Sequence, residues 1–110
     1  MDKDSVDPPV TVVVSRRVKP GCEEAFEEFI SGITAAAMTF EGHLGVNIFR
    51  PSTLEDNEYK IIFKFDRASN LRIWQESECR RQWLARAESL RLEKPTVRVI
   101  TGLIFFLKDL

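Results

Sequence analysis

The segment Glu58-Tyr-Lys-Ile-Ile-Phe-Lys-Phe-Asp66 decides the fold. Its apolar residues recur with a period of two, and successive side chains of a β-strand leave on opposite faces. Tyr59, Ile61, Phe63 and Phe65 therefore share one face, and Lys60, Ile62, Lys64 and Asp66 share the other. The first face calls for a cover of helices. The second is mixed and needs a different explanation. Immediately upstream, the polar stretch Pro51 to Asn57 reads as a hairpin loop, and His43 to Arg50 as the strand before it.

Farther upstream, Val10 to Val18 is dominated by β-branched residues and reads as the first strand, ended by Lys19-Pro-Gly21. Cys22, Phe26, Phe29, Ile30, Ile33 and Ala37 then recur at spacings of three and four, which predicts an amphipathic helix to about Met38. Glu23, Glu24, Glu27 and Glu28 load its first turns with charge that suits a helix N-terminus. Phe40-Glu-Gly42 connects it to the second strand.

Downstream, Asp66 and Ser69 are candidate N-caps for a short helical piece holding Leu71 and Trp74. Ser77 with Glu78 restarts a helix whose buried stripe is Cys79, Trp83, Leu84, Ala87 and Leu90. Pro95 stops it, and Thr96 to Leu107 reads as a fourth strand. The order β-α-β-β-α-β predicts an α+β, ferredoxin-like fold: a four-stranded antiparallel sheet with two helices on one face. Residues 1–9, acidic and ending in Pro8-Pro9, read as a disordered arm, and residues 10–107 as one domain.

Helices on one side leave the opposite face of the sheet bare. That face carries Val13, Ile62, Ile100 and Ile104 among Ser, Thr and Lys. Such a patch is large for a monomer, and a twofold partner presenting the same face would cover it. The sequence thus predicts a homodimer through the open sheet face.

Composition narrows the partners. Apolar residues make up 44 % of the chain, including eight Phe, and charged residues make up 30 % with a formal net charge of −1. A duplex-binding domain carries a basic surplus to neutralise phosphates, so no nucleic-acid partner is expected. The longest apolar run, Leu103 to Leu107, is strand-sized, and no membrane span is expected. The N-terminus lacks the apolar stretch of a signal peptide, which points to the cytoplasm. Cys22 and Cys79 each fall in a helical pattern and read as packed, reduced thiols. Arg16 and Arg17 read as interface or rim charges, and Arg80, Arg81, Arg86 and Arg91 as a solvated helix face. No Gly-rich phosphate loop, metal-ligand cluster or paired carboxylates stand out, so neither metal nor cofactor is expected.

Several stretches together carry a family resemblance. They are Val18-Lys-Pro-Gly21, Phe40-Glu-Gly-His-Leu-Gly45, Tyr59 to Asp66, Leu71-Arg-Ile-Trp-Gln-Glu-Ser77 and Thr101-Gly-Leu103. In order and spacing they resemble the antibiotic biosynthesis monooxygenase superfamily of dimeric α+β barrel proteins, with Trp-x-x-Ser the most specific piece. The resemblance implies a ligand pocket between helices and sheet in each protomer. It also implies three outcomes within the family: oxidation of polycyclic quinols without a cofactor, degradation of haem, or no known activity.

Carried over residue by residue, the haem-degrading pattern falls on Val14, Trp74 and Leu84. Only the Trp is retained, and without an imidazole at Leu84 haem degradation is not expected. The quinol-oxidising pattern falls on Ile61 and Phe65, which offer no hydrogen-bond donor to a developing phenolate. Catalytic residues are therefore unassigned. The candidate pocket comprises Trp74, Phe63, Phe65, Trp83, His43 and Asn47. Trp74 is either a wall for a flat aromatic ligand or a core residue pinning the short helix, and Trp83 has the same two readings. His43 is the only histidine, either a general base or an exposed strand-start residue. Asn47, read on the same strand face, is a polar pocket group or part of the dimer-facing layer. Two functions compete: an oxygenase acting on an aromatic or quinoid small molecule, and a non-catalytic ligand-binding or dimerisation module.

Overall fold

The β-branched run at Val10 lies at the centre of the sheet, where stiff side chains pack well on a pleated surface. The computed structural model describes residues 6–52, 56–90 and 95–101. Within them the elements are β1 (Val10–Arg17), α1 (Glu23–Ala37), β2 (His43–Phe49), β3 (Glu58–Phe65), α2 (Ala68–Gln75), α3 (Glu78–Glu88) and β4 (Thr96–Thr101). The strands pair in the order β2-β3-β1-β4, antiparallel throughout. This is the ferredoxin-like arrangement predicted from the element order, with three helices in place of the two expected, because the second helical segment is divided at Glu76 into α2 and α3. The rest of the expected fourth strand, with Ile104 and the tail Gly102 to Leu110, lies outside the described residues, as do Arg91 and residues 1–5 of the arm.

Register fixes which side chains share a face. Val10, Val12, Val14 and Arg16 sit opposite Phe65, Phe63, Ile61 and Tyr59 on the helix side. Thr11, Val13, Ser15 and Arg17 sit opposite Lys64, Ile62, Lys60 and Glu58 on the open side. In β2 the register slips between His43 and Gly45, so His43 and Leu44 together face Phe65. That bulge flips the parity of everything after it.

The helix side holds two cores. One joins Val18, Phe26, Phe29, Ile30, Tyr59, Ile61 and Ala87, where α1 and α3 meet the sheet. The other joins Val10, Val12, Ala37, Phe65, Leu71 and Trp74 beneath α2. Phe26 and Phe65 are fully buried, each contributing about 1.5–3 kcal/mol of burial free energy. Val14, Ile33 and Phe63 pack against both cores and are only partly buried themselves. The gap that the two cores leave between them is at these three residues.

Capping sets where the helices begin. The N-cap of α2 is Arg67, which has no side-chain cap bond. The cap comes instead from the N-terminal segment: the Ser69 N–H donates to Asp7 Oδ1 at 2.8 Å, and the Ala68 N–H donates to the Pro8 carbonyl at 2.8 Å. The Ser69 hydroxyl also donates to Asp7, and these bonds hold the Asp7 carboxyl below its usual range. The expected cap Asp66 is occupied elsewhere, accepting from Asn70 Nδ2 at 2.9 Å. Of the arm expected over residues 1–9, Asp7 and Pro8 are thus held against α2. Ser77 does cap α3, accepting from the Arg80 N–H at 3.1 Å.

A polar clasp closes the other side of α1. Arg50 Nε and Nη2 donate to the two oxygens of Glu27 at 2.9 and 2.7 Å, and the Tyr59 hydroxyl donates to Glu27 at 2.7 Å. Arg50 and then Tyr59 hold the Glu27 carboxyl down to about 2. Burial, followed by the bond to Glu27, pushes the Tyr59 phenol up to about 12. Cys22 and Cys79 are free and half-buried, packed at the margins of the two cores.

Candidate functional site

Between the two cores lies a cavity of about 560 Å³. Its floor is the helix side of the central strands, with Val12, Val14, Ile61 and Phe63, and Ile33 of α1 forms the roof. Its exposed lining residues, Gln75, Glu88, Pro95 and Val97, mark a mouth bounded by α2, α3 and the start of β4. A volume of this size suits a small multi-ring molecule.

Trp74 and His43 both line the cavity. Trp74 is 4 % exposed and meets Phe40 edge-on, with centroids 5.0 Å apart. It is a buried core residue that also lines the cavity. The His43 ring lies parallel to Phe63 at 6.1 Å and edge-on to Phe65 at 5.1 Å. Burial pulls its pKa below the ordinary value. The Gly45 N–H donates to His43 Nδ1 at 3.1 Å, so in the neutral ring the proton resides on Nε2. The bulge thus turns His43 into a neutral N–H donor. Gly45 has φ +124°, a conformation that side chains other than glycine's rarely adopt.

Three other expected pocket residues lie elsewhere. Phe65 is 0 % exposed and sits in the core beneath α2. Trp83 packs across Gly32 of α1, where an added methyl group would overlap its ring, and is tilted against Phe29 with centroids 6.4 Å apart. It fastens α3 to α1. Asn47 is exposed and pairs with Ile62, which places it on the open face of the sheet. Unbroken alternation would put Asn47 on the same face as His43; the extra residue Leu44 reverses it.

Two arginines missed by the sequence reading do line the cavity: Arg16 and Arg80. Both are half-buried, and burial lowers the pKa of each. Arg16 sits opposite Tyr59, on the helix side, whereas Arg17 faces outward near Glu58 at 4.0 Å. The period-two count from Val10 was the signal that separates them. Arg80, Leu84 and Glu88 recur at i, i+4 and i+8 on one stripe of α3. Arg80 Nη1 donates to the Gln75 carbonyl at 3.2 Å. The neighbouring arginines do form an outer surface: Arg81 pairs with Glu78 at 2.9 Å, and Arg86 lies 4.3 Å over the Trp83 ring.

Of the positions marked by resemblance, Val14, Ile61 and Leu84 also line the cavity. They supply apolar wall and no hydrogen bonds. Polar chemistry comes instead from His43, Thr34, Gln75, Arg16, Arg80 and Glu88. Among the described residues, no group of three or more His, Cys, Asp or Glu is placed to hold a metal ion. No helix among them is long and apolar enough to cross a membrane.

Comparison with known proteins gives a consistent family. The profile described as antibiotic biosynthesis monooxygenase matches residues 9–86. Among solved structures, a Caulobacter crescentus protein described provisionally as an antibiotic biosynthesis monooxygenase superposes with a TM-score of 0.77 at 18 % identity, covering 89 % of this chain and 92 % of that one. A Bacteroides thetaiotaomicron protein of unknown function gives 0.75 at 19 % identity, covering 87 % and 99 %. A Mycobacterium tuberculosis protein gives 0.74 at 14 % identity, covering 88 % and 97 %. At these identities the likeness is one of fold. No curated protein matches the sequence.

Proposed function

The chain belongs to the antibiotic biosynthesis monooxygenase family, and on that premise we propose that its cavity binds a flat phenolic or quinoid molecule and oxidises it with molecular oxygen, without a cofactor. The observation that carries this reading is the neutral His43 set in an aromatic wall beside Phe63, in a cavity that also includes Trp74. Oxygenation of this kind needs the substrate as an anion, and the anion needs a donor where charge develops. His43 Nε2–H is such a donor, supplied from β2 where the positions Ile61 and Phe65 on β3 offer none. Where an activated ring CH2 becomes a carbonyl, the substrate supplies all four electrons taken up by O2. One oxygen atom enters the product and the other leaves as water.

A second reading is binding without turnover, favoured by the apolar lining at Val14, Ile61 and Leu84. Oxygen uptake with hydroxynaphthalenes and anthrone-type compounds separates the two. Uptake that is lost in both Trp74→Ala and His43→Ala supports the oxygenase. Saturable binding of the same compounds with no uptake supports the binding module.

We also infer that residues 10–107 act as one domain in the cytoplasm and pair as a homodimer through the open sheet face. Half-buried Val13 and Ile62 with exposed Phe49 and Ile100 support that pairing. Sedimentation velocity at micromolar concentration should give a dimer, and Ile62→Asp should give a monomer. A wild-type monomer would remove the proposed barrel.

A further inference from the structure

We propose that the binding site continues past the cavity into a second trough beside α1, and that its ligand is an aromatic or quinoid ring carrying an apolar chain. The inference rests on the reading of the cavity as a small-molecule site and adds the shape and class of the ligand. The trough encloses about 510 Å³ between α1 and β2, the strand at one end of the sheet order. Among the described residues, Ile30 and Thr34 line both spaces. They stand one helical turn apart on α1 and form the divider. An isoleucine in a helix keeps to one side-chain rotamer, whereas a threonine is split between two. Thr34 is thus the part of the divider that can turn aside.

Strand β2 supplies a rail from one space to the other. After the bulge, Val46 pairs with Phe63 and Ile48 with Ile61, so both side chains lie on the helix side. Val46 lines the cavity and Ile48 lines the trough. From Val46 to Arg50, which also lines the trough, four residues of extended chain span about 13 Å. Along this path Ile48 is 42 % exposed and Met38 is 56 % exposed, apolar surface that a hydrocarbon chain would take out of water. The polar end of the trough selects no ionic group. Arg50 and Glu27 spend their charges on each other, and Glu27 also accepts from the Tyr59 hydroxyl. A neutral chain suits such a lining, because a charged one would lose its hydration without gaining a counter-charge.

The test titrates hydroxynaphthoquinone and its heptyl-substituted derivative into the wild-type chain, Ala35→Trp and Glu28→Trp. Ala35 is exposed and lines the trough but not the cavity, so an indole there fills the trough. Glu28 is exposed on α1 and lines neither space. Each buried methylene tightens binding about fourfold. The expected result is a preference of roughly tenfold or more for the heptyl compound, lost in Ala35→Trp and kept in Glu28→Trp. Affinity for the unsubstituted quinone should be the same in all three. Equal binding of both quinones, a heptyl preference that survives Ala35→Trp, or equal losses in the two variants would overturn the extension while leaving the cavity as an aromatic site. A sedimentation coefficient changed by Ala35→Trp would mean that a second copy covers the trough, and would overturn it too. Binding of neither quinone would overturn this inference and the reading beneath it together.

Discussion

The Ser77 hydroxyl donates a 2.7 Å hydrogen bond to the Trp74 carbonyl while accepting one from the Arg80 N–H. One side chain therefore ends α2, begins α3 and sets the spacing between the aromatic wall and the cationic end of the cavity. Here the Trp-x-x-Ser spacing has a mechanical meaning. Residue Glu76, with φ −95° and ψ 2°, leaves the helical path, and Ser77 restarts it.

Ser77→Ala removes both bonds. Loss of an N-cap of this kind costs about 1 kcal/mol, and urea denaturation should show it as a lower midpoint with an unchanged slope. Arg80→Gln, which leaves the cap intact, should not. Equal stability of Ser77→Ala and wild type would show that the junction is held by packing alone.

Gly32→Ala tests the seat of Trp83. Alanine is favoured over glycine in a helix by about 1 kcal/mol, yet its methyl group would overlap the indole ring. Overpacking of this kind costs about 1–3 kcal/mol, so the net effect should be destabilising in a thermal melt. Repeating the change in a Trp83→Leu background should restore the gain from helix propensity. A stabilising Gly32→Ala in the wild-type chain would mean that Trp83 is free to move aside.

Much of this was legible in the sequence, and the reason lies in periodicity. Alternation in β1 and β3 is unbroken, so Tyr59, Ile61, Phe63 and Phe65 were placed on the correct face. In β2 one residue, Leu44, breaks the count, and no periodic argument survives an inserted residue. Asn47 was therefore read on the face of His43, although Gly45 was a visible sign of a bulge. Trp83 was offered as a pocket residue because a sequence cannot show that Gly32 receives it. Arg80 was read as solvated because its stripe, Arg80-Leu84-Glu88, is mixed in polarity and looks like an outer face. The cap from Asp7 joins residues sixty-two apart in the chain, and no local signal announces it.

The clasp of Glu27, Arg50 and Tyr59 predicts how stability depends on pH. The Glu27 carboxyl, held down from 4.5 to about 2, contributes stability that is lost as pH falls through that interval. The Tyr59 phenol, raised from 10.0 to about 12, contributes stability that is lost as pH rises through its own interval. Denaturation midpoints should therefore plateau between roughly pH 5 and 9 and fall on both sides. Tyr59→Phe should flatten the alkaline limb and leave an acid limb. An unchanged alkaline limb in Tyr59→Phe would contradict the assignment.

His43 should titrate below its ordinary 6.5 because burial disfavours the imidazolium. Nitrogen NMR at neutral pH should show the proton on Nε2. Gly45→Ala forces a side chain into φ +124°, at a cost of about 1–3 kcal/mol, and should move the His43 titration towards the ordinary value. An ordinary titration in the wild-type chain would place His43 in solvent rather than in the wall.

The central claim is that the cavity between the two cores is where this protein meets its small molecule. Its most direct test is an NMR titration of the full chain with hydroxynaphthoquinone, a flat quinoid acid. Shifts should concentrate at the Trp74 indole, His43, Val46 and Phe63, with Arg80 Nε responding and Asn47 silent. Shifts confined to Asn47, Ile62 and Ile100 on the open face, or none at all, would contradict the account.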